Sequence, residues 1–151
     1  MEGCSMFEPS IEVPQHVVYF FNLIKINEIH FAKKAAPWGM NINDILILLE
    51  IYNKEGINQI DITKRIFITE ANVSKTTKKL LKKGLIKKHI DPENNSRNIL
   101  FLTDSGRELS EELLVIFRDL NNAMIKDIPW EDLLILGDTM EKINENCSKL
   151  R

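Results

Sequence analysis

Fourteen residues near the middle of the chain contain seven lysines and no acidic residue. On a helix, like charges three or four positions apart repel one another and lower helix stability. A cluster that the chain leaves uncompensated indicates an external polyanion, because ammonium groups bind and neutralise phosphates. A solvated surface with no partner is the alternative interpretation of a lysine-rich stretch. The seven lysines are Lys75, Lys78, Lys79, Lys82, Lys83, Lys87 and Lys88.

The charge of the whole chain conceals this cluster. The 151 residues include 20 Lys and Arg and 22 Asp and Glu, which give a formal net charge of -2. Between Thr63 and Arg97, however, ten basic residues stand against three acidic ones, a net charge of +7, and the rest of the chain carries -9. Charge is therefore segregated along the sequence, as it is in proteins that bind nucleic acids through one face.

Two cap patterns position the elements that lead into the basic segment. Asn41–Asp44 and Asn58–Asp61 each begin with a short polar residue and end with an acid three positions later, as in a capping box. They predict one helix from about Ile42 to Asn53 and a shorter one from about Gln59 to Phe67. The basic segment begins inside the second of these helices.

A third helix is predicted from Glu70 to Lys83, capped by Thr69 and stopped by Gly84. Its apolar positions form one stripe, which leaves the lysines on the other surfaces. Two short helices joined by about three residues, the second strongly amphipathic, have the spacing of a helix-turn-helix. The stripe consists of Val73, Thr77, Leu80 and Leu81.

A β-hairpin is predicted directly after this helix. Leu85–Ile90 and Asn98–Leu102 are rich in apolar residues, and the turn-rich stretch between them forms a seven-residue tip. A hairpin in this place is the wing of a winged helix-turn-helix. Arg97 is the only basic residue of the tip, and narrow minor grooves of DNA attract arginine. A solvated arginine is the alternative.

The N-terminal turn of the recognition helix, Glu70–Lys83, would enter the major groove of DNA. Asn72 and Lys75 are assigned to bases, because asparagine can pair with adenine and lysine can donate to guanine. Thr69 and Ser74 offer hydroxyl groups to phosphates, although Thr69 is also the cap and Asn72 could be a second capping group. The predicted DNA-binding residues are Thr69, Asn72, Ser74, Lys75, Lys78, Lys79, Lys82 and Arg97.

Three further helices flank the winged helix, at about Pro14–Lys34, Thr103–Met124 and Trp130–Cys147. Each has a broad apolar face that a symmetric dimer would bury, while folding back on the chain's own core is the alternative. We therefore predict a mainly α fold with a small β-hairpin wing: a winged helix-turn-helix with N- and C-terminal dimerisation helices. The predicted single domain, residues 1–151, comprises a DNA-binding part, residues 38–103, and dimerisation helices, residues 10–36 and 104–151.

The recognition helix and the wing carry a fairly specific combination of motifs. The wing has Asn95-Ser-Arg97 followed by Leu102-Thr103-Asp-Ser-Gly106, and the helix matches at Thr69, Val73, Ser74, Lys75, Leu80 and Gly84-Leu85-Ile86. Over nearly its whole length the chain resembles the MarR-type (multiple-antibiotic-resistance regulator) winged-helix transcription factors, whose wing has Asp-x-Arg and Leu-Thr-x-x-Gly. Asn95 replaces the acid that orients the arginine in relatives, and Phe67 replaces a smaller turn residue.

This resemblance implies an obligate homodimer on a pseudo-palindromic operator in double-stranded DNA. It implies a transcriptional repressor, less often an activator, that is relieved by a small phenolic or lipophilic effector or by cysteine oxidation. Cys4 and Cys147 could sense oxidation, but neither lies beside a cationic motif that would activate it, and inert thiols are the alternative. Effector pockets in relatives lie between the dimerisation helices and the winged part. Aromatic residues near that junction, which could equally belong to the core, are His30, Phe31, Trp38 and Tyr52.

The remaining features argue against other classes. The sequence has three isolated histidines and lacks a His-Glu-x-x-His, a phosphate-binding glycine loop and a nucleophile motif, so we expect no enzymatic activity, cofactor or metal. It has no apolar run of about 20 residues and no signal peptide, and its two cysteines suit a reducing compartment. We therefore expect no membrane contact and a cytoplasmic location. A winged-helix module that binds an acidic protein within a larger transcription complex is the alternative function.

Overall fold

The structure, a computed structural model, describes residues 13–66 and 68–150. Within these residues it contains six α-helices and three β-strands. The helices are α1 Gln15–Ala35, α2 Ile42–Asn53, α3 Gln59–Ile66, α4 Glu70–Lys82, α5 Asp104–Met124 and α6 Trp130–Ser148. The strands are β1 Ile57–Asn58, β2 Ile86–Asp91 and β3 Asn94–Leu102. The predicted fold class, mainly helical with a small β wing, is confirmed.

Polar side chains start α2, α3 and α4 at the predicted positions. At α2, the backbone N–H of Asp44 donates to Asn41 Oδ1 at 3.0 Å, and the N–H of Asn41 donates to Asp44 Oδ2 at 2.9 Å. These two bonds form a complete capping box. The side chain of Asn58 caps α3 in a similar way, and Thr69 Oγ1 accepts a hydrogen bond from the N–H of Asn72 at 3.3 Å. The spacing of polar residues in the sequence therefore locates the starts of these three helices.

The three strands form one antiparallel sheet in the order β1-β3-β2. β2 and β3 are the predicted hairpin, in continuous register as far as Ile90, which lies opposite Asn98. The sequence pattern does not predict β1, in which Ile57 lies opposite Leu100. A strand of two residues is too short to show an alternating pattern, so only its pairing with β3 reveals it.

The tip of the wing differs from the prediction. The turn consists of Pro92–Glu93 alone, and β3 already starts at Asn94. A break in register leaves residues 95–97 without pairing partners on β2, so Arg97 lies in a bulge of β3 rather than in a seven-residue loop. The Asn94 side chain accepts hydrogen bonds from the N–H and the hydroxyl of Ser96, at 3.1 and 2.6 Å. These local bonds satisfy polar groups in the bulge that the ladder leaves unpaired.

A buried apolar core lies among α2, α3, α4 and the sheet. α2 packs against α4 and β3, and α4 also packs against α3 and β2. Two polar residues, Asp44 and Thr77, are as deeply buried as the apolar ones, each with 1% exposure. The fully buried apolar side chains of these elements are Ile45, Ile47, Leu48, Ile51, Ile57, Ile62, Val73, Leu80 and Leu100.

The connection from β3 to α5 depends on Thr103 and Gly106. The Thr103 hydroxyl donates to the Gly84 carbonyl oxygen at 2.6 Å and accepts a hydrogen bond from the N–H of Gly106 at 3.1 Å. A Cβ atom at Gly106 would lie 1.8 Å from the carbonyl oxygen of Leu85. The Leu-Thr-x-x-Gly motif therefore has a packing role, because only glycine lets the first turn of α5 come this close to the chain between α4 and β2.

Contacts within the chain divide it into two compact units, with the division between Glu111 and Glu112 inside α5. The first unit contains α1 to β3 and the start of α5, and the second contains the rest of α5 and α6. Within the described part of the chain, no helix is long and apolar enough to cross a lipid bilayer.

Candidate nucleic-acid interface

The recognition helix α4 carries its polar and apolar residues on different surfaces. The base-reading candidates Asn72 and Lys75 are exposed, and so are Lys78 and Lys82. Ser74 is half-buried. The buried residues of α4 are Val73, Thr76, Thr77 and Leu80, so the predicted stripe is confirmed at three positions, and the half-buried Leu81 is replaced by Thr76.

A groove of about 370 Å³ lies between α3, α4 and the wing. Lys78 borders it from α4, and Lys88 and Arg97 border it from the wing. Ile60 and Leu81 are its apolar members. The remaining lining residues are Asn58, Gln59, Ser74, Thr77, Ser96 and Asn98. Three cations from two elements therefore surround one polar concavity, the arrangement that a phosphate group would bind.

The sequence analysis identifies part of this lining. It includes Ser74, Lys78 and Arg97 but leaves out Lys88, which lies in the middle of β2 opposite Leu100. Lys88 belongs to the lysine cluster of the sequence, but only the pairing of β2 with β3 shows that it shares a groove with the recognition helix. The asparagines and serines of the groove have no distinguishing pattern in the sequence.

Thr77 adds an unpaired hydroxyl to the groove. The residue is 1% exposed, and its Oγ1 has no hydrogen-bond partner among the described residues. Buried polar groups almost always have a partner, and an unsatisfied one costs free energy. The sequence places Thr77 in the apolar stripe, and no sequence signal distinguishes this threonine from an ordinary core residue.

Arg97 is exposed, and it forms no ion pair with any residue that the structure describes. Its neighbour Asn95 cannot supply the negative charge that the corresponding acid has in similar wings. The guanidinium group is therefore uncompensated by its own protein, and its planar fork of donors suits a phosphate or the edge of a minor groove.

Three basic side chains of the basic segment are bound by the protein itself. Lys79 Nζ forms an ion pair with Asp44 of α2, and Arg65 forms one with Glu50 of the same helix. Lys83 Nζ donates to a backbone carbonyl of the turn before α2 at 2.8 Å. Lys79 therefore differs from the other predicted DNA-binding lysines, which form no ion pair within the described chain.

The four predicted effector-pocket residues do not line the groove. Phe31 is 2% exposed, and the ring of His30 meets it edge-on with centroids 5.9 Å apart. Tyr52 lies beneath the guanidinium of Arg107, 5.8 Å from the ring centroid. Trp38 is half-buried and lies at the end of a short 3₁₀ turn between α1 and α2. Their role in effector binding stays a prediction.

Other predicted features have different outcomes. Cys4 and Phe67 lie outside the described residues. Cys147 is exposed near the end of α6, and its redox role stays a prediction. Among the residues that the structure describes, no group of three or more His, Cys, Asp or Glu side chains could hold a metal ion.

Comparison with known sequences supports the same class of protein. The family model described as the MarR family matches residues 40–96. YdgJ of Bacillus subtilis (strain 168), an uncharacterized HTH-type transcriptional regulator, is 25% identical over 130 residues, which cover 86% of this chain and 79% of YdgJ. TcaR of Staphylococcus aureus (strain Newman), an HTH-type transcriptional regulator, is 31% identical over 99 residues, 64% of this chain and 66% of TcaR.

Solved structures share the fold at low sequence identity. The transcriptional regulator SlyA has a TM-score of 0.83 at 15% identity, over 89% of this chain and 94% of its own. MepR of S. aureus, solved as a complex with DNA, has a TM-score of 0.76 at 23% identity, over 89% and 96%. PcaV of Streptomyces coelicolor, solved with its natural ligand, has a TM-score of 0.74 at 16% identity, over 91% and 98%.

The fold and the basic face of α4 and the wing define a winged helix-turn-helix regulator of transcription that binds DNA. The motifs of the recognition helix and wing, the family match and the shared fold then specify the family. The chain belongs to the MarR family.

Proposed function

We propose that this protein is a cytoplasmic, homodimeric repressor, not an enzyme, that recognises a pseudo-palindromic operator and is released from it by a small phenolic or lipophilic effector. The observation that carries the proposal is the groove between α3, α4 and the wing. There Lys78, Lys88 and Arg97 converge beside the unpaired hydroxyl of Thr77. Cations that the protein leaves uncompensated require a polyanion, and duplex DNA carries phosphates at regular spacing.

In this proposal, α4 lies in the major groove with its first turns against the bases. Asn72 and Lys75 are exposed on the outer surface and read the bases, because asparagine pairs bidentately with adenine and lysine donates to guanine. Thr69 and Ser74 donate to phosphates, while Lys78 and Lys82 supply charge. Lys79 is left out of this set, because its ammonium group is already paired with Asp44.

The wing contacts the DNA backbone beside the recognition helix. Arg97 binds a phosphate or the minor-groove edge, and Lys88 binds a phosphate within the groove that it shares with Lys78. A phosphate oxygen in the groove would also accept the otherwise unpaired hydrogen bond of Thr77. Contacts of this kind fix the position of the protein on the duplex, and the base contacts of α4 then specify the sequence.

Two separate helices support the homodimer. α1 and α6 each expose large apolar side chains that a monomer would leave in water, and exposed apolar surface of this extent marks an interaction site. A second copy would cover equivalent faces by a two-fold axis. The exposed apolar residues are Tyr19, Phe21, Leu23, Ile24, Ile26 and Ile29 on α1, and Trp130, Leu134, Ile135, Leu136 and Met140 on α6.

The effector is proposed at the aromatic residues that connect α1, the following turn and α2. His30, Trp38 and Tyr52 are half-buried, and Phe31 lies against His30. Flat aromatic surfaces of this kind suit a phenolic or lipophilic molecule. That a neighbour of similar fold, PcaV, has been solved with a natural ligand supports an effector site in this fold.

Selection of bound sequences from random duplexes tests the proposal. We expect a pseudo-palindromic site whose half-sites are about one helical turn apart. The variant Asn72→Ala should relax selectivity at one base step per half-site by about 1 to 3 kcal/mol, while Asn144→Ala, the same truncation on α6, should leave it unchanged. A protein that enriches no sequence would contradict sequence-specific recognition and favour the protein-interaction module.

A further inference from the structure

Asp44 carries a buried carboxylate in the first turn of α2. Its side chain is only 2% exposed. Oδ2 accepts the N–H of Asn41 at 2.9 Å and the ammonium of Lys79, and Oδ1 accepts the hydroxyl of Thr76 at 3.2 Å. Thr76 and Lys79 lie three residues apart on α4, so one acid on α2 binds two consecutive turns of the recognition helix.

Stability alone does not explain this arrangement. Removing a carboxylate and an ammonium group from water is costly, and an apolar pair of similar volume often packs at least as well. A charged, hydrogen-bonded pair differs from an apolar contact because it is directional. Buried polar groups set the register of helices in coiled coils. The bonds of Asp44 to Thr76 and Lys79 would set the rotation and axial position of α4 against α2 in the same way.

The same bonds change the charge that α4 presents outward. Lys79 is 37% exposed, yet its ammonium group pairs with α2, and Lys83 donates to the Trp38 carbonyl oxygen. The other three lysines of α4 are exposed and form no ion pair with the described residues: Lys75, Lys78 and Lys82. The lysine cluster therefore consists of one set that is bound to the protein and one that is available to a ligand.

We propose that Asp44 is a positioning residue for operator recognition, which fixes the orientation of α4 and withholds the Lys79 charge from DNA phosphates. This inference rests on the proposed DNA-binding function of the same face. Fixing the helix places Asn72 and Lys75 against particular bases, and pairing Lys79 removes a phosphate contact that would strengthen binding to every sequence equally. Both effects raise the ratio of operator affinity to affinity for unrelated DNA.

The test is the substitution Asp44→Asn, which is nearly isosteric and removes the charge. Affinities for the selected operator and for an unrelated duplex are measured over a range of salt concentrations. We expect the affinity ratio to fall roughly tenfold, the loss of about one base contact. We expect the slope of log affinity against log salt on unrelated DNA to steepen by about 0.9, because released Lys79 neutralises one further phosphate. Loss of folded protein alone would change neither quantity.

Three companion variants separate the two effects. Asp44→Asn combined with Lys79→Gln should restore the original salt slope while the affinity ratio stays low. Thr76→Val removes one bond to Asp44 with no change of charge, so it should lower the ratio and leave the slope unchanged. Lys78→Gln should reduce the slope by about 0.9 and provides the reference for one lost phosphate contact.

Circular dichroism and thermal melting establish which variants are folded. A folded Asp44→Asn variant with the wild-type ratio and slope overturns the proposal. If Asp44→Asn does not fold, Thr76→Val decides, and an unchanged affinity ratio in that variant overturns the positioning role. Failure of the wild-type protein to bind any duplex would instead overturn the proposed function, so the two failures are distinguishable.

Discussion

At the scale of single residues, the candidate interface depends on which cations the protein leaves uncompensated. Arg65 and Lys79 form ion pairs with carboxylates of α2, whereas Lys78, Lys88 and Arg97 border an open polar groove. Exposed cations bind DNA phosphates and release counterions, and a cation already paired with a carboxylate contributes less. The number of lysines in the sequence therefore overstates the charge that is available to DNA.

Arg97 provides a direct test at this scale. Replacing Arg97 with Ala should weaken operator binding and reduce the salt slope by about 0.9, because one phosphate contact is lost. The preference at A/T-rich flanking positions should also change if the side chain enters the minor groove. Arg118→Ala on α5 is the matched control and should leave both unchanged. Equal effects of the two substitutions in fluorescence anisotropy titrations would remove Arg97 from the interface.

At the scale of elements, short signals in the sequence account for most of the fold. Asn41, Asn58 and Thr69 cap the helices they are predicted to cap. The hairpin follows from two apolar runs separated by turn residues. The sequence does not reveal β1 or the bulge of β3, because both depend on pairing with a distant strand or on a shift in register. Local chemistry is readable from local sequence, whereas pairing is not.

The candidate site shows the same limit. Asn72, Lys75, Lys78 and Arg97 are identified by spacing alone, and the structure places them in exposed positions. The ion pair of Lys79 joins residues 35 positions apart in the sequence, so the sequence does not separate Lys79 from the other lysines. The unpaired hydroxyl of Thr77 is likewise a result of burial, which the periodicity predicts, and of missing partners, which it does not.

Gly106 tests the packing role of the Leu-Thr-x-x-Gly motif. Substitution with Ala places a Cβ 1.8 Å from the Leu85 carbonyl oxygen, so α5 or the chain at Leu85 must move. Overpacking of this kind costs about 1 to 3 kcal/mol. The melting temperature should fall accordingly. Gly137→Ala on α6 is the control, because no atom lies within 4 Å of its Cβ position and alanine favours a helix. A Gly106→Ala protein as stable as the wild type would contradict the close approach.

At the scale of the whole molecule, the net charge of -2 combines two opposite charge distributions. The basic segment forms α4, the wing and part of α3, and the rest of the chain is acidic. Acidic surfaces repel the DNA backbone, so binding at the basic face restricts the orientation of the protein on the duplex. Recognition by a homodimer adds a second copy of that face and thereby links the spacing of half-sites to the symmetry of the protein.

Sedimentation tests the assembly at this scale. We expect a species of twice 17.5 kDa at micromolar concentration, since α1 and α6 expose apolar side chains that a second copy would cover. Replacing Ile24 and Ile135 with Asp should shift the equilibrium toward monomers and weaken operator binding, because each half-site would then be bound independently. A wild-type monomer under these conditions would contradict the dimer.

The measurement that tests the central claim most directly is the salt dependence of binding to the selected operator duplex. Each subunit offers four free cations to phosphates, namely Lys78, Lys82, Lys88 and Arg97. With about 0.9 per phosphate, a dimer should give a slope of log affinity against log salt of roughly -7. A slope between about 0 and -1, or no saturable binding to duplex DNA at low salt, would contradict the assignment of the α4 and wing face to DNA.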